Sequence, residues 1–133
     1  AYSNQLMEHL HPEDAFDQLR NICDVLTPGG QYICITPHKF SGPHDISKYF
    51  DDVATGFHLE EYTYIALANI FESAGFSKVH ALVGLRGFCF STPLFWLKWL
   101  EGILEKFPFK LCRQISRVLP IRLVLGIKLV GVK

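Results

Sequence analysis

Four residues, Thr27-Pro28-Gly29-Gly30, constrain most of what this chain can become. Proline lacks the amide proton that a helix interior needs, and paired glycines favour turns, so the run ends any helix that precedes it. Before it, Ala15, Leu19, Ile22, Cys23 and Leu26 recur at helical spacing. Pro12 suits the first turn of that helix, and Glu13, Asp14 and Asp17 complement its positive end. After the breaker, Gln31 to Thr36 (Gln-Tyr-Ile-Cys-Ile-Thr) is a short β-branched and aromatic run closed by Pro37, the pattern of a buried strand. A helix and a buried strand joined by four residues predict an α/β fold.

The rest of the chain extends this pattern. His38 to Leu59 has no sustained period and reads as a long loop, a kind of segment that is usually functional or mobile. Tyr62 to Ala74 carries Ile65, Leu67, Ala68, Ile70 and Phe71 as a second amphipathic helix, closed by Gly75. Lys78 to Leu85 and Val124 to Lys133 read as strands, with Gly126 and Gly131 as bulge or close-approach points. Between them, Leu94 to Phe107 and Leu111 to Leu119 form two basic amphipathic helices, broken by Pro108 and ended by Pro120. With 133 residues, 49% of them apolar, the chain has enough large side chains for one core and too many for a disordered segment. We therefore expect a single domain: an α/β core over residues 1–85, a helical excursion over 86–122 and a final strand over 123–133.

Cys23, Cys34, Cys89 and Cys112 lie far apart with no Cys-x-x-Cys pair, which argues against a zinc knuckle or a dense disulfide framework. Reduced thiols and a cytoplasmic setting are the expectation. The net charge of zero conceals a division: residues 1–85 hold eleven acids against four bases, and residues 86–133 hold nine bases against two acids. Such asymmetry points to an anionic partner or membrane surface for the basic part.

The order helix, Pro-Gly-Gly turn, strand, long loop, helix, strand, excursion, strand resembles the C-terminal half of a class I S-adenosylmethionine-dependent methyltransferase of small-molecule type. Five segments carry the resemblance: Asn4 to Leu10, Leu26-Thr27-Pro28-Gly29-Gly30, Ile35-Thr36-Pro37, Gly56 to Thr63 (Gly-Phe-His-Leu-Glu-Glu-Tyr-Thr) and Ala74-Gly75-Phe76. The resemblance implies a partial Rossmann-like sheet with a helical insertion between its last two strands. It makes Ala1-Tyr2-Ser3 the end of a strand, and it places the glycine-rich cofactor loop upstream of position 1. Gly84-Leu85-Arg86-Gly87 does not replace that loop, because no helix follows it. S-adenosylmethionine binding by this chain alone is accordingly expected to be weak or absent.

By the resemblance, Ser3, Asn4 and Gln5 lie near the methionine part of S-adenosylmethionine, at the carboxyl end of a strand where open α/β sheets place ligands. His9 is a candidate general base for a hydroxyl acceptor. Some quinone-biosynthesis methyltransferases hold a divalent metal with a Glu-x-x-Glu-His segment; here the first acid is the amide Gln5, so no metal is expected. In the long loop, His44 and His58 are candidates for polarising an acceptor hydroxyl. His38 and Asp45 are candidates for lining the small-molecule acceptor pocket. Loop polarity is the alternative, with Asp45 capping a turn over Ile46 to Tyr49.

Trp96, Trp99, Phe95, Phe107 and Phe109 stand among Lys98, Lys106, Lys110, Arg113 and Arg117. Residues 92–119 can pack as a helical cap over the acceptor or meet a membrane headgroup boundary. Nucleic acid is not expected, because Leu and Ile dominate the face. A homodimer is expected, centred on an open edge at Gln31 to Thr36 or on the Trp96 and Trp99 helix. The alternative to an enzyme is a non-catalytic dimeric module.

Overall fold

The computed structural model describes residues 1–133 other than 86–87, 117, 119–120 and 122–123. Five strands form one open sheet: β1 (Tyr2–Asn4), β2 (Gln31–Thr36), β3 (Lys78–Leu85), β4 (Phe88–Thr92) and β5 (Ile127–Val132), in the order β1-β2-β5-β3-β4. β1 and β2 are parallel, with Tyr2 opposite Ile33 and Asn4 opposite Ile35. β5 runs antiparallel to both of its neighbours. The helices are α1 (Pro12–Val25), α2 (Tyr64–Ser73), α3 (Phe95–Leu104) and α4 (Phe109–Ile115). A mixed open sheet with helices packed on it is the expected α/β class and is compatible with a Rossmann-like fold.

The breaker acts as its composition dictates. α1 starts at Pro12 and ends at Val25, and β2 opens directly after Gly30. The Gly29 amide donates to the Lys133 carbonyl and the Lys133 amide to the Gly30 carbonyl, so the turn is fastened to the end of β5. Tyr32 and Cys34 of β2 are buried, and the Tyr32 ring stacks on Phe71 of α2 at 5.6 Å and on Phe76 at 6.2 Å. Both phenylalanines lie against Gly131 so closely that a β-carbon there would stand 2.6 Å from each. The close approach expected at that glycine is therefore real: any larger residue would push α2 off the sheet.

Three expectations are corrected. Residues 88–92, assigned to the excursion, form β4, which folds back on β3 with Leu85 opposite Phe88 and Ala81 opposite Thr92. Phe88, Cys89, Phe90 and Ser91 are all exposed, so the strand lacks the alternation that marks one half-buried on a core. The final strand begins at Ile127 rather than Val124. Gln31 to Thr36 is not an open edge, because β1 and β5 flank it, and the sheet's outer strands are β1 and β4. Strand pairing through β2 therefore cannot centre a dimer. The end of the second basic helix at Leu119 and Pro120, and Arg86-Gly87, lie outside the described residues.

The aromatic stripe of the excursion divides. Trp96 packs against the main core and its Nε1 donates to Thr92 Oγ1 at 2.6 Å, whereas Phe95 and Trp99 project outward. Phe40, Leu104, Cys112 and Leu125, joined by Phe109, make a second, smaller core that ties the excursion to the segment after β2. Among the described residues, no helix is long and apolar enough to cross a membrane.

Candidate functional site

The carboxyl ends of β1 and β2 open on a cleft of about 700 Å³, lined by Gln5, Thr36, His38, Ser41 and His44 on one side and by Ser116, Leu125 and Gly126 on the other. Gln5 takes a left-handed backbone conformation, φ 55°, while its amide donates to the Ile35 carbonyl at 2.9 Å. A non-glycine residue in that region is uncommon, and here it turns the chain out of β1 at the mouth of the cleft. Ser3 and Asn4 differ from Gln5. The Ser3 hydroxyl is paired with the Tyr32 hydroxyl at 2.6 Å, and neither residue lines the cleft.

His38 follows β2 and is fully buried. Its Nδ1 accepts from the Phe40 amide at 3.1 Å, so Nε2 carries the proton and donates to Glu101 Oε1 at 2.6 Å. The same carboxylate accepts the amides of Tyr64 and Ile65, the first turn of α2. Glu101 thus joins the excursion, the start of α2 and the cleft wall through one side chain. Its position was readable: it stands four residues after Leu97 and three before Leu104, an acid on the buried face of α3.

His44 lies at the rim. Ser41 Oγ donates to the His38 carbonyl at 2.9 Å, so His44 Nε2–H donates to Ser41 Oγ at 2.7 Å and Nδ1 is the ring's acceptor. Desolvation against the cleft wall lowers the His44 pKa below the usual imidazole value, and the Glu61 charge opposes this without reversing it. Glu61, which periodicity does not single out, accepts the His44 amide at 2.7 Å and His58 Nδ1–H at 2.9 Å. Its carboxylate fills the space beside Gly42, where a β-carbon would lie 1.9 Å from Oε2.

Asp45 does not line the cleft. Its carboxylate caps the turn over Ile46–Tyr49 by accepting the Ser47 amide at 2.9 Å, and it also accepts the amides of Gly56 and His58 at 3.0 and 3.2 Å. Burial alone would raise its pKa, but these hydrogen bonds outweigh burial and hold the group at about 2. The loop is thus an ordered structure built round one acid, and what it positions is His58.

His58 and His9 stand apart from the cleft lining. Their rings meet edge to face at 4.9 Å, with the buried Glu8 beside them. One ligand-type atom each from Glu8, His9 and His58 lies within 4.8 Å of the other two. The sequence separates the candidate histidines; the fold puts His38 and His44 on the cleft, and His9 and His58 with Glu8. Thr36 belongs to both places, because it lines the cleft and its Oγ1 donates to Glu8 Oε2 at 2.7 Å. Comparison of the chain with protein-family models, with curated proteins and with solved structures finds no match.

Proposed function

We propose that this chain is the acceptor-side part of a cytoplasmic S-adenosylmethionine-dependent methyltransferase acting on a small, amphipathic acceptor. One observation carries the reading: a cleft large enough for a small molecule lies at the carboxyl ends of the parallel strands, with Gln5 in a left-handed turn on its wall and His38 and His44 beside it. Open α/β sheets place their ligands at that edge. The element order that suggested the family is also the order in the fold, with β4 added.

In this reading Gln5 contacts the methionine end of the cofactor, and most of the remaining cradle lies upstream of Ala1. The cofactor supplies an electrophilic methyl group. The protein's task is alignment of the acceptor and removal of its proton. His44 is suited to the second: its lowered pKa keeps the ring neutral near pH 7, and Nδ1 is available to take a hydroxyl proton. In transfer to a hydroxyl acceptor, His44 Nδ1 would take the hydroxyl proton while Gln5 would hold the end of the cofactor from which the methyl group comes. His38, locked by Glu101, shapes the wall and does not exchange protons in this scheme.

The test is methyl transfer from labelled S-adenosylmethionine by the protein expressed from its complete gene, against a panel of small phenolic and lipid-like acceptors. Transfer to one of them, reduced by His44→Ala roughly 10²–10⁴-fold with little change in cofactor KM, supports the reading. The 133-residue chain by itself should bind S-adenosylmethionine no tighter than about 100 μM. A low-micromolar constant for this chain would show that it holds its own cofactor cradle and would overturn the division proposed here.

A further inference from the structure

We infer that Glu8, His9 and His58 form a binding site for a divalent transition-metal ion of the zinc class, beside the cleft rather than in it. Two imidazoles and one carboxylate are a nitrogen and oxygen donor set that suits zinc and its neighbours, and three protein ligands leave a position open for water or a substrate oxygen. Carboxylate-only chemistry, on which a Mg²⁺ site would depend, is not what the fold assembles here.

The first support is an unmatched buried charge-bearing group. Glu8 is fully buried; Thr36 Oγ1 donates to its Oε2, and Oε1 has no hydrogen-bond partner. A buried carboxylate oxygen left in this way costs stability unless something pairs with it, and a cation does so directly. Nothing else among the described residues pairs with that oxygen.

The second support is the state of the two rings. His58 Nδ1–H donates to Glu61 Oε1 at 2.9 Å, and His9 Nδ1–H donates to the Phe57 carbonyl at 2.9 Å. Each ring is thereby fixed with its proton on Nδ1, leaving Nε2 as the nitrogen with the lone pair. This is the outer-shell arrangement of metal-bound histidines, with one partner a carboxylate and the other a backbone carbonyl. The Glu8 carboxylate has the same kind of support from Thr36.

The third support is that the loop is built to deliver His58. Asp45 holds the His58 amide, and the Leu59 amide donates to the Glu8 carbonyl at 2.7 Å, clamping the far end of the loop to the segment that carries Glu8 and His9. One ligand-type atom from each of the three residues lies within 4.8 Å of the other two, and a tetrahedral ion with ligands at about 2.0–2.1 Å would have its donor atoms about 3.4 Å apart. Small side-chain rotations close that difference. His9 is exposed, which gives the ion an entry path, whereas Glu8 and His58 are buried. Thr36 links the site to the cleft, so an ion here lies one side chain from a bound acceptor.

Metal binding at this place stands or falls independently of methyl transfer, and its test needs no substrate. The chain is stripped with a chelator and titrated with Zn²⁺ by calorimetry and with Co²⁺ by visible absorption. We expect one ion per chain, a Zn²⁺ constant of about 1 μM or tighter, Mg²⁺ at least 100-fold weaker, and Co²⁺ bands of mixed nitrogen and oxygen ligation. His9→Ala, at an exposed position where the fold is not at risk, should weaken Zn²⁺ at least 30-fold, as should Glu8→Gln. His11→Ala, on a nearby exposed histidine outside the site, should leave it unchanged. The inference is overturned if no ion binds tighter than about 100 μM, or if binding survives both His9→Ala and Glu8→Gln without loss. Loss of binding with methyl transfer intact would show a metal site unconnected with the reaction; absence of methyl transfer with the metal bound would count against the proposed reaction alone.

Discussion

His38 Nε2 donates to Glu101 Oε1 at 2.6 Å, with both side chains buried, and this contact joins the wall of the cleft to the helix of the excursion. Glu101 also accepts the first amides of α2, doing from another element what a local capping residue would do. Thr63 supplies the conventional cap by accepting the Ala66 amide at 3.1 Å. One helix end is therefore held by two elements, and the excursion cannot lift from the core without exposing buried donors.

Glu101→Ala should accordingly cost about 3–5 kcal/mol, because it strands His38 Nε2–H and the Tyr64 amide in the interior and takes the acceptor from the half-buried Ile65 amide. Glu101→Gln keeps one acceptor oxygen and should cost less. Urea unfolding of the two variants gives the comparison. A loss below about 1 kcal/mol for Glu101→Ala would mean that water replaces the carboxylate and that α3 is not anchored there.

The acid limb of the methyl-transfer rate should fall below pH 6.5. A general base works deprotonated, and the His44 ring has its pKa lowered below the usual imidazole value by desolvation against the cleft wall. Rate therefore holds as pH drops past 6.5 and declines only once His44 takes up its proton. A kcat/KM profile whose acid limb lies above pH 7, or one unchanged in His44→Ala, would remove His44 from that role.

Asp45→Ala should loosen the loop without unfolding the sheet. Three amides lose their acceptor, at a cost of about 1–3 kcal/mol. Hydrogen exchange should speed up over residues 44–61 and stay unchanged in β2, β3 and β5. Uniform acceleration across the sheet would show that the loop is not a separate cooperative unit.

The part of this architecture that was legible in the sequence is local. The Thr27 to Gly30 breaker placed α1 and β2 within a residue, because proline and glycine act on their own neighbours. β4 was hidden because Phe88 to Ser91 bury no face, so the hydrophobic pattern carried no information about pairing. The site was half legible. His38 and His44 follow a predicted strand and meet at its end, as such loops do. The meeting of His9 with His58 depends on a hydrogen bond from Leu59 to Glu8 across the length of the loop, and no spacing rule contains it. Asp45 was placed correctly only under the capping alternative, since an acid followed two residues later by Ser47 looks the same whether it faces a ligand or its own backbone.

Thiol labelling should separate the four cysteines. Cys89 is exposed, while Cys23, Cys34 and Cys112 are buried. Burial raises the Cys34 pKa to about 11, against the opposing hydrogen bonds from Ser3 and Tyr32, and burial also raises that of Cys112. At pH 8 iodoacetamide should modify Cys89 alone, and the other three only in denaturant. Rapid labelling of Cys34 in the native protein would contradict the packing of β2 on α2.

The exposed aromatics of the excursion yield the last prediction. Phe95 and Trp99 are 72% and 69% exposed and lie four residues apart on one face of α3; Phe88 and Phe90, 71% and 66% exposed, share a face of β4. Large apolar side chains in that number need a cover, and Lys98 and Lys106, close by in sequence, favour an anionic one. We therefore expect the chain to sediment with vesicles containing anionic lipid at about 50 mM salt and to be released at about 500 mM, as the Debye length falls well below 10 Å. Phe95→Ser with Trp99→Ser should abolish binding while leaving the fold intact, because neither ring is part of the core. Failure to bind vesicles at either salt, together with a dimer in sedimentation equilibrium that the same double variant dissociates, would assign the face to a second copy of the chain and the basic charge to solvent.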